Sequence, residues 1–119
     1  MPELTLPFEP PGFAHTFYLY TLLVPPDWAG RKRDEVVHTL KKKYGVGCII
    51  ANPPVYQDNA FIRRSTGRQR LPRSEAIGAR LFCPSLHPLM TDAQNEYIAA
   101  AVIEAVGRVR RRTASSYRR

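Results

Sequence analysis

The chain has 119 residues and a formal net charge of +8, from 18 Lys and Arg against 10 Asp and Glu. This length fits one domain, and a composition of 44% hydrophobic and 24% charged residues excludes a wholly disordered chain. The sequence contains no apolar run of roughly 18 residues, so we expect no membrane span.

The first 15 residues are expected to form an extended arm. Proline fixes φ and lacks a backbone donor, and four prolines fall in this stretch: Pro2, Pro7, Pro10 and Pro11. The stretch also lacks the basic start and apolar run of a secretory signal peptide. We therefore predict a proline-rich arm over residues 1–15 and a cytoplasmic protein.

A strand, a helix and a second strand are predicted next. Residues 16–24 are β-branched, aromatic and apolar on both faces, which is typical of a central strand covered on both sides. Residues 31–44 have helical periodicity, and Gly45 is expected to end this helix in the left-handed conformation. Residues 46–50 favour a second strand. The apolar stripe of the helix consists of Val36, Val37, Leu40 and Tyr44.

Residues 51–72 show no clear periodicity and are expected to form a long connection, which in a compact domain is usually functional. A short helix is predicted over residues 73–81, with Ile77 and Leu81 facing inward. A short strand at Phe82 and Cys83 is expected to follow it.

The last predicted element is a long helix that begins with a capping box. Thr91 is expected to cap a backbone amide, and Gln94 is expected to reach back to the amide of Thr91. The helix should run to about Arg112 before a basic tail over residues 113–119. Its apolar stripe consists of Ile98, Ala101, Val102, Ala105 and Val109.

This order of elements predicts the α/β class, in the form of an α+β two-layer sandwich. A small sheet of about three strands would carry helices packed on it. The predicted domain spans residues 16–112, between the arm and the tail.

The residues themselves indicate a domain that binds rather than one that reacts. The three histidines are far apart in sequence, and neither they nor the two cysteines have the spacing of a metal site. Cys48 and Cys83 are expected to be reduced thiols. A Schiff-base lysine needs a desolvated pocket, whereas three of the four lysines are consecutive at a helix end: Lys41, Lys42 and Lys43.

All 18 basic residues follow Gly30 and fall mainly in three blocks. Two blocks flank helix ends, where cations are favoured by the helix dipole and add solubility. The third block crowds the loop between Arg63 and Arg73. Contact with nucleic acid and contact with an acidic protein partner are the other interpretations of this charge. Nucleic acid is disfavoured because the aromatic residues are not interleaved with the arginines.

Several motifs, in order, resemble the DegT/DnrJ/StrS sugar aminotransferases, which use pyridoxal phosphate. The stretch Leu81–Gln94 is similar to the family's "LPxHPxLT" ending and final helix. Gly45–Cys48, followed by Asn52–Tyr56, resembles the "GI…YxPLH" strand and loop, and Leu71–Glu75 resembles the segment that leads into the next helix. Phe17–Tyr20 and Arg33–Val36 resemble the entry to the family's small domain. The resemblance covers roughly residues 10–110.

The resemblance is limited to the small C-terminal domain of fold-type I aminotransferases. It implies a small subunit of a split aminotransferase that acts on a keto-sugar or keto-cyclitol, with an amino acid such as glutamate as donor. This chain alone would bind no cofactor, and pyridoxal phosphate would be held by a separate large subunit. The two chains would form a heterodimer or a heterotetramer, with no membrane association.

The resemblance also implies site residues. Asn52 and Tyr56, and with them Tyr18, are expected to contact the substrate as neutral hydrogen-bonding groups. Many family members have His where this chain has Tyr18 and Tyr56, and Asn52 stands where the family has Tyr. An anionic group or the partner would be contacted by three further residues: Arg63, Arg64 and Arg68. No catalytic or metal-binding residue is predicted.

Two other functions are compatible with the sequence. The chain could be a non-catalytic regulatory or binding module derived from the same domain. It could also be a basic nucleic-acid-binding domain, whose binding would weaken steeply with salt.

Overall fold

The computed structural model describes residues 4–51, 53–67 and 69–116. Within them the chain forms a mixed α/β domain of five helices and three short strands, which confirms the predicted fold class. The strands are β1 (Leu22–Leu23), β2 (Cys48–Ile49) and β3 (Leu81–Pro84). The helices are α1 (Arg31–Tyr44), α2 (Val55–Asp58), α3 (Ala60–Ser65), α4 (Pro72–Gly78) and α5 (Asp92–Ser116), with one 3₁₀ turn at Pro26–Trp28.

The sheet has the order β1-β3-β2, and both pairings are antiparallel. The prediction of a long central strand over residues 16–24 is therefore wrong. Only Leu22–Leu23 of this stretch pair with β3, at one end of the strand order. The φ of 48° at Phe17 also interrupts the extended backbone predicted over residues 16–24. The central strand is β3, whose four residues are all buried. The second predicted strand, over residues 46–50, is shortened to Cys48–Ile49.

The main core lies between one face of the sheet and the helices α1 and α5. Phe82 of β3 is fully buried there, and Leu22 of β1 is its partner in the antiparallel register. Val36 and Leu40 of α1 and Val106 of α5 are also fully buried. Helices on one face of a small sheet form the two-layer arrangement that the element order predicted.

Helix α1 begins and ends where the sequence places it. Gly45 follows it with φ 65° and ψ 14°, and its amide donates to the carbonyl oxygen of Leu40, which confirms the predicted left-handed end. His38 is exposed on the outer face of the helix.

Helix α5 begins with the predicted capping box. The Gln94 amide donates to Thr91 Oγ1 at 3.2 Å, and the Thr91 amide donates to Gln94 Oε1 at 2.9 Å. The helix continues beyond Arg112 to Ser116. Thr113 lies in this extension, and its hydroxyl donates to the carbonyl oxygen of Val109 one turn earlier.

The connection predicted over residues 51–72 contains two short helices, α2 and α3. The side chain of Asn59 separates them and accepts hydrogen bonds from the amides of Phe61 and Ile62 at 3.0 and 3.1 Å. A cap depends on one polar side chain and leaves no periodic pattern of apolar residues. The sequence pattern therefore did not indicate the Asn59 cap.

The next helix, α4, ends at Gly78, three residues before the predicted end. The prediction that Ile77 faces inward is wrong, whereas Leu81 is buried as predicted, although from β3 and not from this helix. Ile77 is 49% exposed, and Leu81 belongs to β3, where it pairs with Leu23.

The arm joins the sheet near its start. Thr5 and Leu23 exchange two backbone hydrogen bonds at 2.9 and 3.1 Å, and Leu4 is buried in the main core.

Among the described residues, no helix has the combined length and hydropathy needed to span a membrane.

Candidate functional site

The predicted site residue Tyr56 lies in a hydrogen-bonded cluster that joins α2 to α4. Its side chain is only 8% exposed. Its hydroxyl donates to Glu75 Oε1 at 2.7 Å and accepts from the Leu71 amide at 3.0 Å. Arg70 completes the cluster, because its Nε and Nη2 donate to the two carboxylate oxygens of Glu75 at 2.7 and 2.6 Å. A phenol has one proton and two lone pairs, so these two hydrogen bonds use the proton and one lone pair of Tyr56.

The cluster fixes the charge states of its members. The hydrogen bonds from Arg70 and then from Tyr56 lower the pKa of Glu75 to about 2. Burial and the hydrogen bond to Glu75 raise the pKa of Tyr56, and the same carboxylate raises the pKa of Arg70. At neutral pH the cluster therefore contains a charged Arg70–Glu75 pair and a neutral Tyr56.

Arg63, predicted to contact an anion or a partner, is bound within its own segment. Its Nε donates to the carbonyl oxygen of Tyr56 at 3.0 Å, and its Nη2 donates to the carbonyl oxygen of Gln57. The guanidinium thus ties α3 to the backbone of α2. Arg64 is exposed on α3, and Arg68 lies outside the described residues.

Tyr18, the third predicted substrate contact, is 86% exposed in the segment before β1. It follows Phe17, whose positive φ is unusual for a bulky residue. The Phe17 amide donates to His15 Nδ1 at 2.8 Å, and the two rings stack with centroids 4.4 Å apart. Among the described residues, no hydrogen bond, ion pair or ring contact joins Tyr18 to Tyr56. Asn52 lies outside the described residues.

The sheet face opposite the main core carries a second, smaller apolar cluster. Its buried members are Ala51, Leu81 and Cys83. Beside it lies a cavity of about 420 Å³ whose apolar lining includes Leu19, Ile49 and Leu86. Ile49 is 54% exposed. This face is therefore less completely covered than the face under α1 and α5.

Both cysteines are free thiols that line this cavity, with Cys83 in the second cluster and Cys48 packed against the main core. Burial, followed by the neighbouring Cys83, raises the pKa of Cys48 to about 11. The thiol is therefore protonated at neutral pH and is a weak nucleophile and a weak metal ligand.

The lysines of this chain do not fit a pyridoxal phosphate site. All four lie on α1. Lys32 lies 3.6 Å from Asp27 and over the Trp28 ring, and the other three are exposed at the end of the helix. None is in the desolvated pocket that a Schiff-base lysine requires. The part of the chain that the structure describes also holds no group of three or more metal-ligating side chains.

The sequence did not predict two sets of hydrogen bonds that join distant segments, those of Arg33 and those of Glu75. Arg33 is 7% exposed and donates to the carbonyl oxygens of Gly78 and Leu81. Its position three residues before Val36 places it on the apolar stripe of α1, which was a usable signal. Arg70 lies before α4 and Glu75 lies within it, so they are not spaced as an ion pair on one helix would be. The sequence therefore did not indicate that they pair.

The match to known proteins comes from one family model. The model of the DegT/DnrJ/EryC1/StrS aminotransferase family matches residues 2–103. No curated protein matches the chain.

Proposed function

This chain belongs to the DegT/DnrJ/EryC1/StrS aminotransferase family, and we propose that it serves as the small subunit of a two-chain, pyridoxal phosphate-dependent aminotransferase. The amino acceptor would be a keto-sugar or keto-cyclitol, and the donor an amino acid such as glutamate. The family match is the observation that supports the relationship. The positions of the lysines on α1, none of them in a desolvated pocket, support a cofactor held by the partner.

The proposed role of this chain is to complete one wall of the active site. The transfer chemistry belongs to the cofactor on the large subunit, while this chain would orient the substrate and exclude water. Tyr56 would accept a hydrogen bond from a substrate hydroxyl through its remaining lone pair. Tyr18 and Asn52 are the other proposed substrate contacts.

The basic segment that begins with Arg63 and Arg64 on α3 is proposed to face the partner or an anionic group of the substrate. Arg64 is the exposed candidate on α3, with Arg68 beyond it in the chain. Arg63 would act indirectly, because its hydrogen bonds to α2 hold α3 in place.

The exposed apolar surface supports a partner of substantial size. Isolated exposed apolar side chains are common, but contiguous patches indicate interaction sites. In α2 and α3, Val55 is 62% exposed and Phe61 is 77% exposed. The arm adds Phe8 at 77% and Phe13 at 73%. A large subunit that covered these side chains would gain apolar burial.

Reconstitution tests the proposal. The chain is co-expressed with large subunits encoded near it, and complex formation and amine transfer from glutamate to keto-sugars are measured. We expect a stable complex that is active only when both chains are present. A large subunit that is fully active alone and never co-purifies with this chain would contradict the proposal.

A matched pair of variants then tests the docking side. Phe61→Asp places a charge on α3 and should weaken the complex. Leu89→Asp changes a comparably exposed apolar residue, outside residues 53–67, and should leave the complex intact. Equal weakening of the complex by both variants would show that α3 is not specifically part of the interface.

A regulatory module is the second candidate, because the only proton of the Tyr56 hydroxyl is already donated to Glu75. In that case the complex would form, but omission of this chain would change the rate little.

Nucleic-acid binding would instead appear as a gel shift that survives moderate salt. We also propose a cytoplasmic location, which agrees with two free thiols.

A further inference from the structure

The outer face of α5 carries a stripe of five residues that are evenly placed about Ile103. Glu96, Ala99, Ile103, Gly107 and Arg110 follow one another at intervals of three or four residues, so they lie along one side of the helix. Ile103 is 51% exposed at the centre. Small residues flank it on both sides, and an acid and a base stand at the two ends.

An apolar groove runs beside this stripe. It encloses about 390 Å³ between α5, the arm and the loop after β3, and its lining includes Leu6, Leu86, Ala99 and Ile103. Leu6 is 50% exposed and Leu86 is 42% exposed. The groove and the stripe therefore present one apolar surface with charged ends.

We propose that this surface binds a second copy of the chain, with the two α5 helices antiparallel about a twofold axis at Ile103. Glu96 of each copy would then face Arg110 of the other, and Ala99 would face Gly107. The two Ile103 side chains would meet at the axis, next to the two apolar grooves. An interface of this kind is self-complementary and closes at two copies.

The charges select the antiparallel orientation. A parallel pair would place Glu96 against Glu96 and Arg110 against Arg110, which is repulsive at both ends. The antiparallel pair makes two attractive contacts and also opposes the two helix dipoles. Ala99 and Gly107 lack bulky side chains of their own, and the Arg111 guanidinium that lies over Gly107 is the flexible end of its side chain and would move aside. The helices can then approach closely enough for Ile103 to be covered.

The proposed dimer does not rest on the proposed enzymatic function. It needs only this chain, so its test is independent of any large subunit. If both proposals hold, the α5 pair would join two small subunits within a heterotetramer.

Analytical ultracentrifugation of the full chain, combined with charge reversal, tests the dimer. The wild-type chain should sediment as a reversible dimer of twice 13.5 kDa, and high salt should weaken it. Glu96→Arg alone and Arg110→Glu alone should each weaken association by about tenfold or more, because each places like charges in contact twice. The double reversal should restore the dimer.

Glu104→Arg is the matched control, since it makes the same charge change on α5 away from the stripe. It should leave the dimer intact, and circular dichroism should show unchanged helix content in every variant. A wild-type chain that remains monomeric up to about 1 mM would overturn the proposal. So would equal loss in Glu104→Arg, or a double reversal that stays monomeric.

Discussion

Arg33 shows how one side chain can join two elements that are distant in sequence. Its Nη1 donates to the carbonyl oxygens of Gly78 at 3.0 Å and Leu81 at 2.7 Å, and its Nε donates to Asp34 at 2.6 Å. The two carbonyl groups lie at the end of α4 and the start of β3. Because buried polar groups need partners, this guanidinium fixes where α4 stops and the central strand begins.

Replacement of Arg33 should therefore destabilise the fold. Arg33→Ala would leave two carbonyl oxygens without their donors, and we expect a loss of about 2–4 kcal/mol in the free energy of unfolding, measured by urea denaturation. Arg31→Ala, at an exposed position at the start of the same helix, should change it by less than about 0.5 kcal/mol. Similar losses in the two variants would show that the Arg33 contacts do not contribute.

Glu75 should make stability depend on pH in the acid range. Its pKa is lowered in the folded chain from 4.5 to about 2, so the unfolded chain binds the proton more readily. The stabilisation is therefore fully present above about pH 4.5 and is lost as the pH falls toward 2.

Thermal unfolding of the wild type and of Glu75→Gln across pH 2–6 measures this effect. We expect the variant to be less stable near pH 6 and the difference to shrink as the pH falls. Asp58→Asn is a suitable control, because it removes an exposed carboxylate from the neighbouring helix α2. A difference that stayed constant over the whole range would exclude a depressed Glu75 pKa.

At the scale of elements, the helices differ in how they are stabilised. Helix α5 is long, has a capping box and buries a continuous stripe against α1 and the sheet. Helix α3 has six residues and buries none of them. The Asn59 cap and Arg63 tie it to the preceding segment, and Ser65 and Thr66 donate to its own carbonyl oxygens. Helices this short are marginal in water, so α3 depends on these contacts or on a partner.

The cap of α5 gives a prediction at this scale. Thr91→Ala removes the hydroxyl that accepts from the Gln94 amide, and we expect a loss of about 1 kcal/mol in the free energy of unfolding. Thr91→Ser retains an acceptor at the same position and should recover most of it. A serine variant as unstable as the alanine variant would assign the loss to the methyl group instead.

The whole molecule is less compact than its length suggests. Its radius of gyration is 16.2 Å, with extents of 48 × 47 × 30 Å, whereas a compact domain of this length has a radius of about 13.5 Å. The main core is built from α1, α5 and the sheet. The arm and the α2–α3 segment contribute little to it, and they also carry strongly exposed aromatic side chains such as Phe8 and Phe61.

Hydrogen exchange should reflect this division. In the isolated chain, the amides of α3 should exchange quickly and those in the middle of α5 slowly, because α3 contains no fully buried residue and its local opening exposes little apolar surface. Addition of the proposed large subunit should slow exchange in α3 by tenfold or more. Unchanged α3 exchange in a purified complex would place the interface elsewhere on the chain.

The sequence by itself determined the features that depend on neighbouring residues. The bounds of α1, the left-handed Gly45 and the capping box of α5 follow from helical periodicity and from contacts within five residues. The family resemblance was also readable, since its motifs are contiguous stretches of chain. Of the candidate site, sequence identified Tyr56 and the basic loop as positions of interest.

Only the tertiary structure decided the features that depend on pairing across the chain. β3 became the central strand because both β1 and β2 pair with it, a choice that local apolar patterns cannot make. Glu75 became the partner of Tyr56 across 19 residues, and Arg33 that of Gly78 across 45. Such contacts form only when the chain brings distant polar groups into a buried place where each must find a partner.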